Sequence, residues 1–202
     1  MATRGRPRAF DRDEALRRAM DIFWRRGYEG TSVDDLTAAM GIGKRSLYLA
    51  FRCKEELFRE AVALYTAVQG AATMGELETA ATARAGVEGL LRANVRMFGD
   101  PGSPPGCMIV NTALLGRPES APVSDHLVAQ RRAGQQAVRR RLAQGVTDGD
   151  VPAGTDLDAV AAFYTTVLHG LSIYARDGAS AGELGQVVDA AMAAWDTLAP
   201  RP

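Results

Sequence analysis

Apolar residues recur along this chain at intervals of three and four, the spacing of one face of an α-helix. Leu16, Ala19, Met20 and Phe23 form the first such stripe. Asp11 begins its helix, Glu14 completes a capping-box pattern, Phe10 packs at the entry and Gly27 ends it. From Ser32 to Phe51 the pattern predicts two short helices joined by a tight turn. Ser32 and Asp35 have capping-box spacing, and Val33, Leu36 and Met40 share a buried face. Gly41 suits the left-handed residue that ends a helix. Ile42 plugs the turn, and Gly43 opens a second helix whose Leu47 and Phe51 point inward. A fourth helix opens near Lys54 and runs towards Gly70, with Leu57, Phe58, Ala61, Val62 and Tyr65 apolar.

Residues 70–84, rich in Ala, Gly and Thr, show no clear period. A helix follows from about Ala85 to Phe98. The prolines and glycines of residues 100–106 make a loop, and Cys107 to Leu115 reads as a short buried helix. After a second proline-bearing break, Arg117 to Pro122, Ser124 caps a long helix to about Gln144. Its five arginines between Arg131 and Arg141 suggest a solvated face. Asp156 caps a helix to about Ala175 that is apolar on nearly every side and so is expected to be buried all round. The last helix, Ala181 to Leu198, carries Leu184, Val187, Val188, Ala191 and Trp195 in a stripe. The expected fold is all-α: a basic arm (1–9), a three-helix helix-turn-helix unit (10–53) and a helical body (54–202).

Charge sharpens that division. The chain of 202 residues has no net charge, yet residues 1–54 carry twelve Lys or Arg against seven Asp or Glu, and residues 55–202 carry twelve against seventeen. A basic module sits on an acidic body, the footprint of a nucleic-acid binder. No apolar run approaches the length of a membrane span, and no apolar segment follows the basic start as a signal peptide requires, so a cytoplasmic protein is expected, with no membrane partner. Cys53 and Cys107 are the only cysteines and show no metal-binding spacing. With no nucleophile, phosphate-loop or dinucleotide motif, nothing argues for an enzyme, a metal or a cofactor.

The outer face of the second short helix carries the candidate chemistry. With Leu47 and Phe51 inward, Arg45, Tyr48, Leu49 and Arg52 fall on the other side, and Lys44 stands at the start. Lys44 and Arg45 can reach base edges in a major groove, and the Tyr48 hydroxyl can reach a phosphate. Thr31 and Ser32, at the start of the preceding helix, can also meet a phosphate. In the arm, Arg4, Arg6 and Arg8 sit in an Arg-Gly-Arg-Pro context like an AT-hook core. They read either as a minor-groove arm or as a solvated basic tail.

Residues 10–64 resemble the DNA-binding domain of the TetR family of transcriptional regulators. The resemblance lies in the Phe-Trp pair ending helix one, the Gly-Tyr-Glu-Gly-Thr-Ser link, the Gly-Ile-Gly turn, Leu-Tyr followed by Phe, and the Lys-Glu-Glu-Leu-Phe run. It implies Ser46 and Lys54 as further phosphate contacts beside Thr31 and Tyr48. Gly43 and Cys53 stand where the family often has Ser, so both helix caps should be weaker here. In that family the last two helices usually form the dimer bundle, and the apolar faces of residues 157–198 here are expected to make a homodimer, with Thr166, His169, Ile173, Leu184, Val188 and Trp195 at the interface. The resemblance also implies a repressor released from a palindromic operator by a small molecule. Apolar inward positions point to a mostly apolar ligand, with Tyr65, Phe98, Cys107, Met108, Asn111, Thr112 and Tyr164 as pocket candidates. The alternative is a DNA-binding regulator without an inducer, acting through architecture or as a thiol-based sensor through Cys53 or Cys107.

Overall fold

The computed structural model describes residues 10–112 and 118–200. The Asp11 carboxylate accepts the N–H groups of Asp13 at 2.9 Å and Glu14 at 3.1 Å, and so starts α1 (Arg12–Arg26). The Glu14 side chain does not complete a capping box; it pairs instead with Arg17 and Arg18. The box at α2 (Val33–Met40) does form, between Ser32 and Asp35, and Gly41 ends the helix at φ 68°. α3 (Lys44–Phe51) starts at Gly43 with no side-chain cap. α4 (Lys54–Tyr65) is capped by the Cys53 sulfur, which accepts the Glu56 N–H at 3.4 Å. Both caps are thus the weak ones their residue types imply.

These four helices close over one aromatic centre. Phe23 meets Phe58 edge-on at 5.0 Å, and Leu36, Leu47, Phe51 and Leu57 fill the space around them. Met108, Val123 and Leu127 reach the same core from the body.

The chain does not leave the helix at Tyr65. A π-helical turn, Thr66–Gly70, leads directly into α5 (Ala71–Thr79), and the joining residues keep helical dihedrals. Residues 54–79 therefore run as one rod, widened in the middle. The sequence period fails over residues 70–84 because α5 buries only Thr73 and Leu77. α6 (Ala83–Phe98) follows, capped by Thr82. α7 spans Met108–Thr112, and the end of the expected helix to Leu115 lies outside the described residues. A short 3-10 turn, Pro118–Ser120, precedes α8 (Ala121–Asp148). α8 starts ahead of Ser124 because Pro122 fits a first turn, where no N–H is needed. It passes Gln144 and ends at Gly149, φ 83°. α9 (Leu157–Arg176) is capped by Asp156, and α10 (Ala181–Ala193) by a Ser180–Glu183 box. A bend at Ala194 separates α10 from α11 (Trp195–Leu198). Every regular element among the described residues is helical, and no described helix is long and apolar enough to cross a membrane.

The body has its own core, in which Tyr164 packs on Trp195 at 5.6 Å and donates its hydroxyl to the Ala191 carbonyl. Leu184, Val188 and Trp195 belong to that core and are buried. Their assignment to an intermolecular face is corrected: α10 turns Leu184 and Val188 inward, onto α6 and α9, and Trp195 of α11 packs on Tyr164 of α9. The outward face of α9 and α10 carries Phe163, Thr166, Ile173, Tyr174 and Val187 instead. Within the single chain, α9 is therefore exposed along one apolar side rather than buried all round.

Candidate nucleic-acid interface and internal cavity

α3 lies on the surface with its alternate faces sharply divided. Leu47 and Phe51 anchor it in the first core, while Tyr48 is 47% and Leu49 77% exposed. Lys44 and Arg45 are exposed beside them, and Ser46 is half-buried. The Lys44 ammonium rests 2.7 Å from the Asp34 carboxylate on α2, which raises its pKa through a hydrogen bond and the opposite charge. A phosphate or a guanine edge can replace this exposed carboxylate. The exposed Leu49 suits the methyl group of a thymine.

The link before α2 behaves differently from expectation. Thr31 is fully buried, and its hydroxyl donates to the Gly27 carbonyl at 2.6 Å, so it is a structural group and not a surface phosphate contact. Ser32 is exposed, but its N–H and its hydroxyl both bind the Asp35 carboxylate. Lys54 lies with its ammonium 4.0 Å from the centre of the Tyr28 ring, at the start of α4. Arg4, Arg6 and Arg8 lie outside the described residues.

The body holds a cavity of about 280 Å³, open on one side. Its walls are the end of α4 with the π turn, α5, α6, the start of α7, α8 and α9. Leu90, Met74, Met97, Phe98, Val110, Val138 and Leu168 make it mostly apolar. Of the expected pocket residues, Tyr65, Phe98 and Cys107 line it. Met108, Asn111, Thr112 and Tyr164 do not. Met108 packs in the first core and Tyr164 in the second. Asn111 is satisfied internally: its amide donates to the Pro105 carbonyl, and its oxygen accepts from the Ser172 hydroxyl at 3.2 Å. Thr112 borders a small recess elsewhere, beside Tyr28.

Sequence periodicity missed the polar lining. Asn94, Thr165, Gln69, Gln130, Arg131 and His169 all contribute. His169, expected at a dimer interface, turns into the cavity. Arg131, expected on a solvated face, does so as well, while Arg141 is buried and donates to the Ala80 carbonyl. Among the described residues no group of His, Cys, Asp and Glu is arranged to hold a metal ion.

One corner of the cavity touches the N-terminal helices. Tyr65 stands edge-on to Trp24 at 4.8 Å, and the Trp24 indole donates to the Gly106 carbonyl. Cys107 comes next in the chain, with its N–H on the Ser172 hydroxyl at 2.8 Å. Burial pushes the Tyr65 hydroxyl well above its ordinary pKa and also raises the Cys107 thiol, although Tyr65 hydrogen bonds to the sulfur.

Comparison with known proteins covers both halves of this architecture. Residues 15–61 match the profile described as bacterial regulatory proteins, tetR family, and residues 83–191 match the tetracyclin repressor-like C-terminal domain. The chain is 32% identical over 200 residues to the HTH-type transcriptional repressor ComR of Escherichia coli (strain K12), covering 97% of this chain and 94% of ComR. It is 28% identical to the uncharacterized HTH-type transcriptional regulator YezE of Bacillus subtilis (strain 168), over 95% of this chain and all of YezE. Among solved structures, a cysteine mutant of the TetR family transcriptional regulator CifR, complexed with 26 bp double-strand operator DNA, shares 49% identity and a TM-score of 0.92. That match covers 94% of this chain and 100% of CifR.

Proposed function

The chain belongs to the TetR family of bacterial transcriptional regulators, which are DNA-binding proteins and not enzymes, and from that premise we propose that it is a dimeric repressor released from a palindromic operator by a small molecule. The N-terminal unit, residues 10–53, reads the DNA through Lys44, Arg45, Tyr48 and Leu49 on the exposed face of α3. The body, residues 54–202, holds the effector and the dimer contact. CifR, the similar regulator of known structure, was solved on operator DNA. One such unit spans only a few base pairs, so two are needed for a specific site.

The observation that carries this reading is the continuity of the rod. Residues 54–79 hold α3 at one end and line the cavity at the other, through Tyr65, Thr66, Gln69, Gly70, Thr73 and Met74. The π turn sits at the cavity wall, a position where such widened turns recur in functional helices. A mostly apolar occupant that presses on Tyr65 or on this turn tilts α4 and so moves α3. In a dimer that motion changes the separation of the two α3 helices, which must be roughly 34–36 Å to meet successive major grooves. Ligand and DNA then weaken each other's binding by one coupling factor.

The test is selection of bound sequences from random duplexes, followed by titration of the selected site. A two-fold symmetric consensus with half-sites one helical turn apart is expected. Binding that follows salt concentration alone, with no consensus, refutes the reading.

A second reading rests on Cys107, whose sulfur lies in the cavity wall against the Tyr65 hydroxyl. In it, the effector is a thiol-reactive molecule and release is covalent. Cys53 is exposed and caps α4 beneath α3, which gives the same reading a second site at the DNA end.

A further inference from the structure

Building on the reading that the cavity holds an effector, we propose that this effector is a small amphipathic monocarboxylic acid, its chain among the apolar walls and its carboxylate held by Arg131, Thr165 and His169.

Arg131 projects from α8 into the cavity wall. Its one hydrogen bond among the described residues is long, from the guanidinium to the Ile109 carbonyl at 3.4 Å. Among the described residues no carboxylate acts on its charge; the groups coupled to it are Cys107 and His169. A partly buried guanidinium without an anion is costly, and burial lowers its pKa. Four of the six other body arginines whose contacts are described meet a carboxylate: Arg59 meets Glu55, Arg92 meets Glu88 and Asp189, Arg96 meets Glu76, and Arg139 meets Asp158; Arg141 and Arg176 meet backbone carbonyls.

Across from Arg131, α9 presents Thr165 and His169, one helical turn apart and therefore on the same face. Thr165 is 8% exposed, and its hydroxyl oxygen is buried with no hydrogen-bond partner. Of the buried side-chain atoms without a partner among the described residues, this hydroxyl lies in the cavity wall, where a ligand oxygen can supply its partner. His169 is held towards its neutral form by burial and by the Arg131 charge, and a neutral imidazole still donates one N–H. Cation, hydroxyl and imidazole line the same cavity as donors, with no acid among the described wall residues to compete. A planar carboxylate matches the guanidinium fork, whereas an alcohol or an amide satisfies only part of the set. The remaining walls, Leu90, Met97, Phe98 and Leu168, favour an apolar body. At about 280 Å³ the cavity is at the small end of ligand sites, which start near roughly 300 Å³. A medium-length chain or a single substituted ring fits that space better than a large polycyclic molecule.

The full-length protein tests this with the neutral fluorophore N-phenyl-1-naphthylamine as cavity probe, and with octanoate and 1-octanol as competitors of equal chain length at neutral pH. Octanoate is expected to displace the probe at a concentration about ten-fold or more below that of octanol. Arg131→Met should remove that advantage while leaving octanol unchanged, and Arg131→Lys should restore part of it. Circular dichroism and operator binding confirm that each variant is folded. Equal displacement by the two competitors in the wild type overturns the proposal, as does an octanoate advantage that survives in Arg131→Met. Gly134→Phe separates this failure from failure of the cavity itself. Gly134 lines the cavity, and a Cβ there meets nothing within 4 Å, so the added ring has room to occupy it. Probe binding unchanged in Gly134→Phe places the probe outside the cavity and removes the effector reading together with the carboxylate.

Discussion

The Trp24 indole N–H donates to the Gly106 carbonyl at 2.9 Å, a buried contact between residues 82 positions apart. It ties α1 of the DNA-binding unit to the loop that enters Cys107 and the cavity. Trp24 also meets Tyr65 edge-on, so both cavity-side residues press on the same indole. Trp24→Phe keeps an aromatic ring but strands a buried carbonyl and leaves a void. The variant should lose about 2–3 kcal/mol in urea unfolding. It should also retain operator binding while responding less to an effector, because the contact lies between the two sites. Unchanged stability shows that the hydrogen bond is dispensable.

Gly106 offers an independent check on the same corner. Its φ is 75°, and a Cβ there falls 2.4 Å from the Ser172 carbonyl oxygen and 2.6 Å from the Asn111 amide nitrogen. Gly106→Ala therefore meets both left-handed strain, about 1–2 kcal/mol, and a clash with backbone. Its denaturation midpoint should drop by more than that of Gly134→Ala, where a Cβ has open space. Equal midpoints contradict the close packing of this loop.

The helix-turn-helix was legible because local chemistry dictates it. The Ser32–Asp35 box, Gly41 in the left-handed region, and the inward pair Leu47 and Phe51 all act within a few residues. The cavity was not legible. Periodicity identifies which face of α9 turns inward, but whether Thr165 and His169 meet a packed neighbour or a gap depends on α6 and α8, far away in sequence. Asn111 illustrates the reverse error. It is a pocket candidate by sequence, yet Pro105 and Ser172 satisfy its amide. Thr31 failed for a related reason: the Tyr28–Gly30 turn folds its hydroxyl back onto Gly27.

On α3, base reading and phosphate anchoring should separate by mutation. Arg45→Ala is expected to relax preference at one position of the half-site, by about 1–3 kcal/mol. Tyr48→Phe should weaken all sequences to a similar degree, since a phosphate contact carries no base information. Titration of each variant against single-substitution operators distinguishes the two. If Arg45→Ala keeps the full base preference, Arg45 is not a reader.

The exposed apolar side of α9 and α10 predicts the dimer surface. Phe163, Ile173, Tyr174 and Val187 are each more than a third exposed in the single chain, an unfavourable patch unless a second copy covers it. Two such helices from each chain make a four-helix bundle. Ile173→Asp should shift sedimentation towards the 21.5 kDa monomer, and operator affinity should fall with it. Leu184→Asp should instead unfold the chain, because Leu184 lies in its own core. A dimer unaffected by Ile173→Asp assembles through another face.

The reactivity of the two thiols should differ, because Cys53 is exposed while burial raises the Cys107 thiol, and this decides between reversible and covalent release. The thiolate is the nucleophile, so a thiol with a raised pKa is mostly protonated, and slow to react, at neutral pH. Burial raises Cys107; Tyr65, the Ile109 and Val110 N–H groups and Arg131 act in the opposite direction without reversing it. Cys53 is exposed, so access does not limit it. Iodoacetamide should therefore modify Cys53 first near pH 7. Modification of Cys107 should remain slow there and accelerate as pH rises past the ordinary thiol value of about 8.5. An occupant of the cavity should slow Cys107 without affecting Cys53, since only Cys107 lies in the wall. Peptide mass spectrometry over a pH series reads both sites in one sample. Rapid modification of Cys107 at neutral pH, with loss of operator binding that Cys107→Ser prevents, favours the covalent reading and removes the need for a reversible effector.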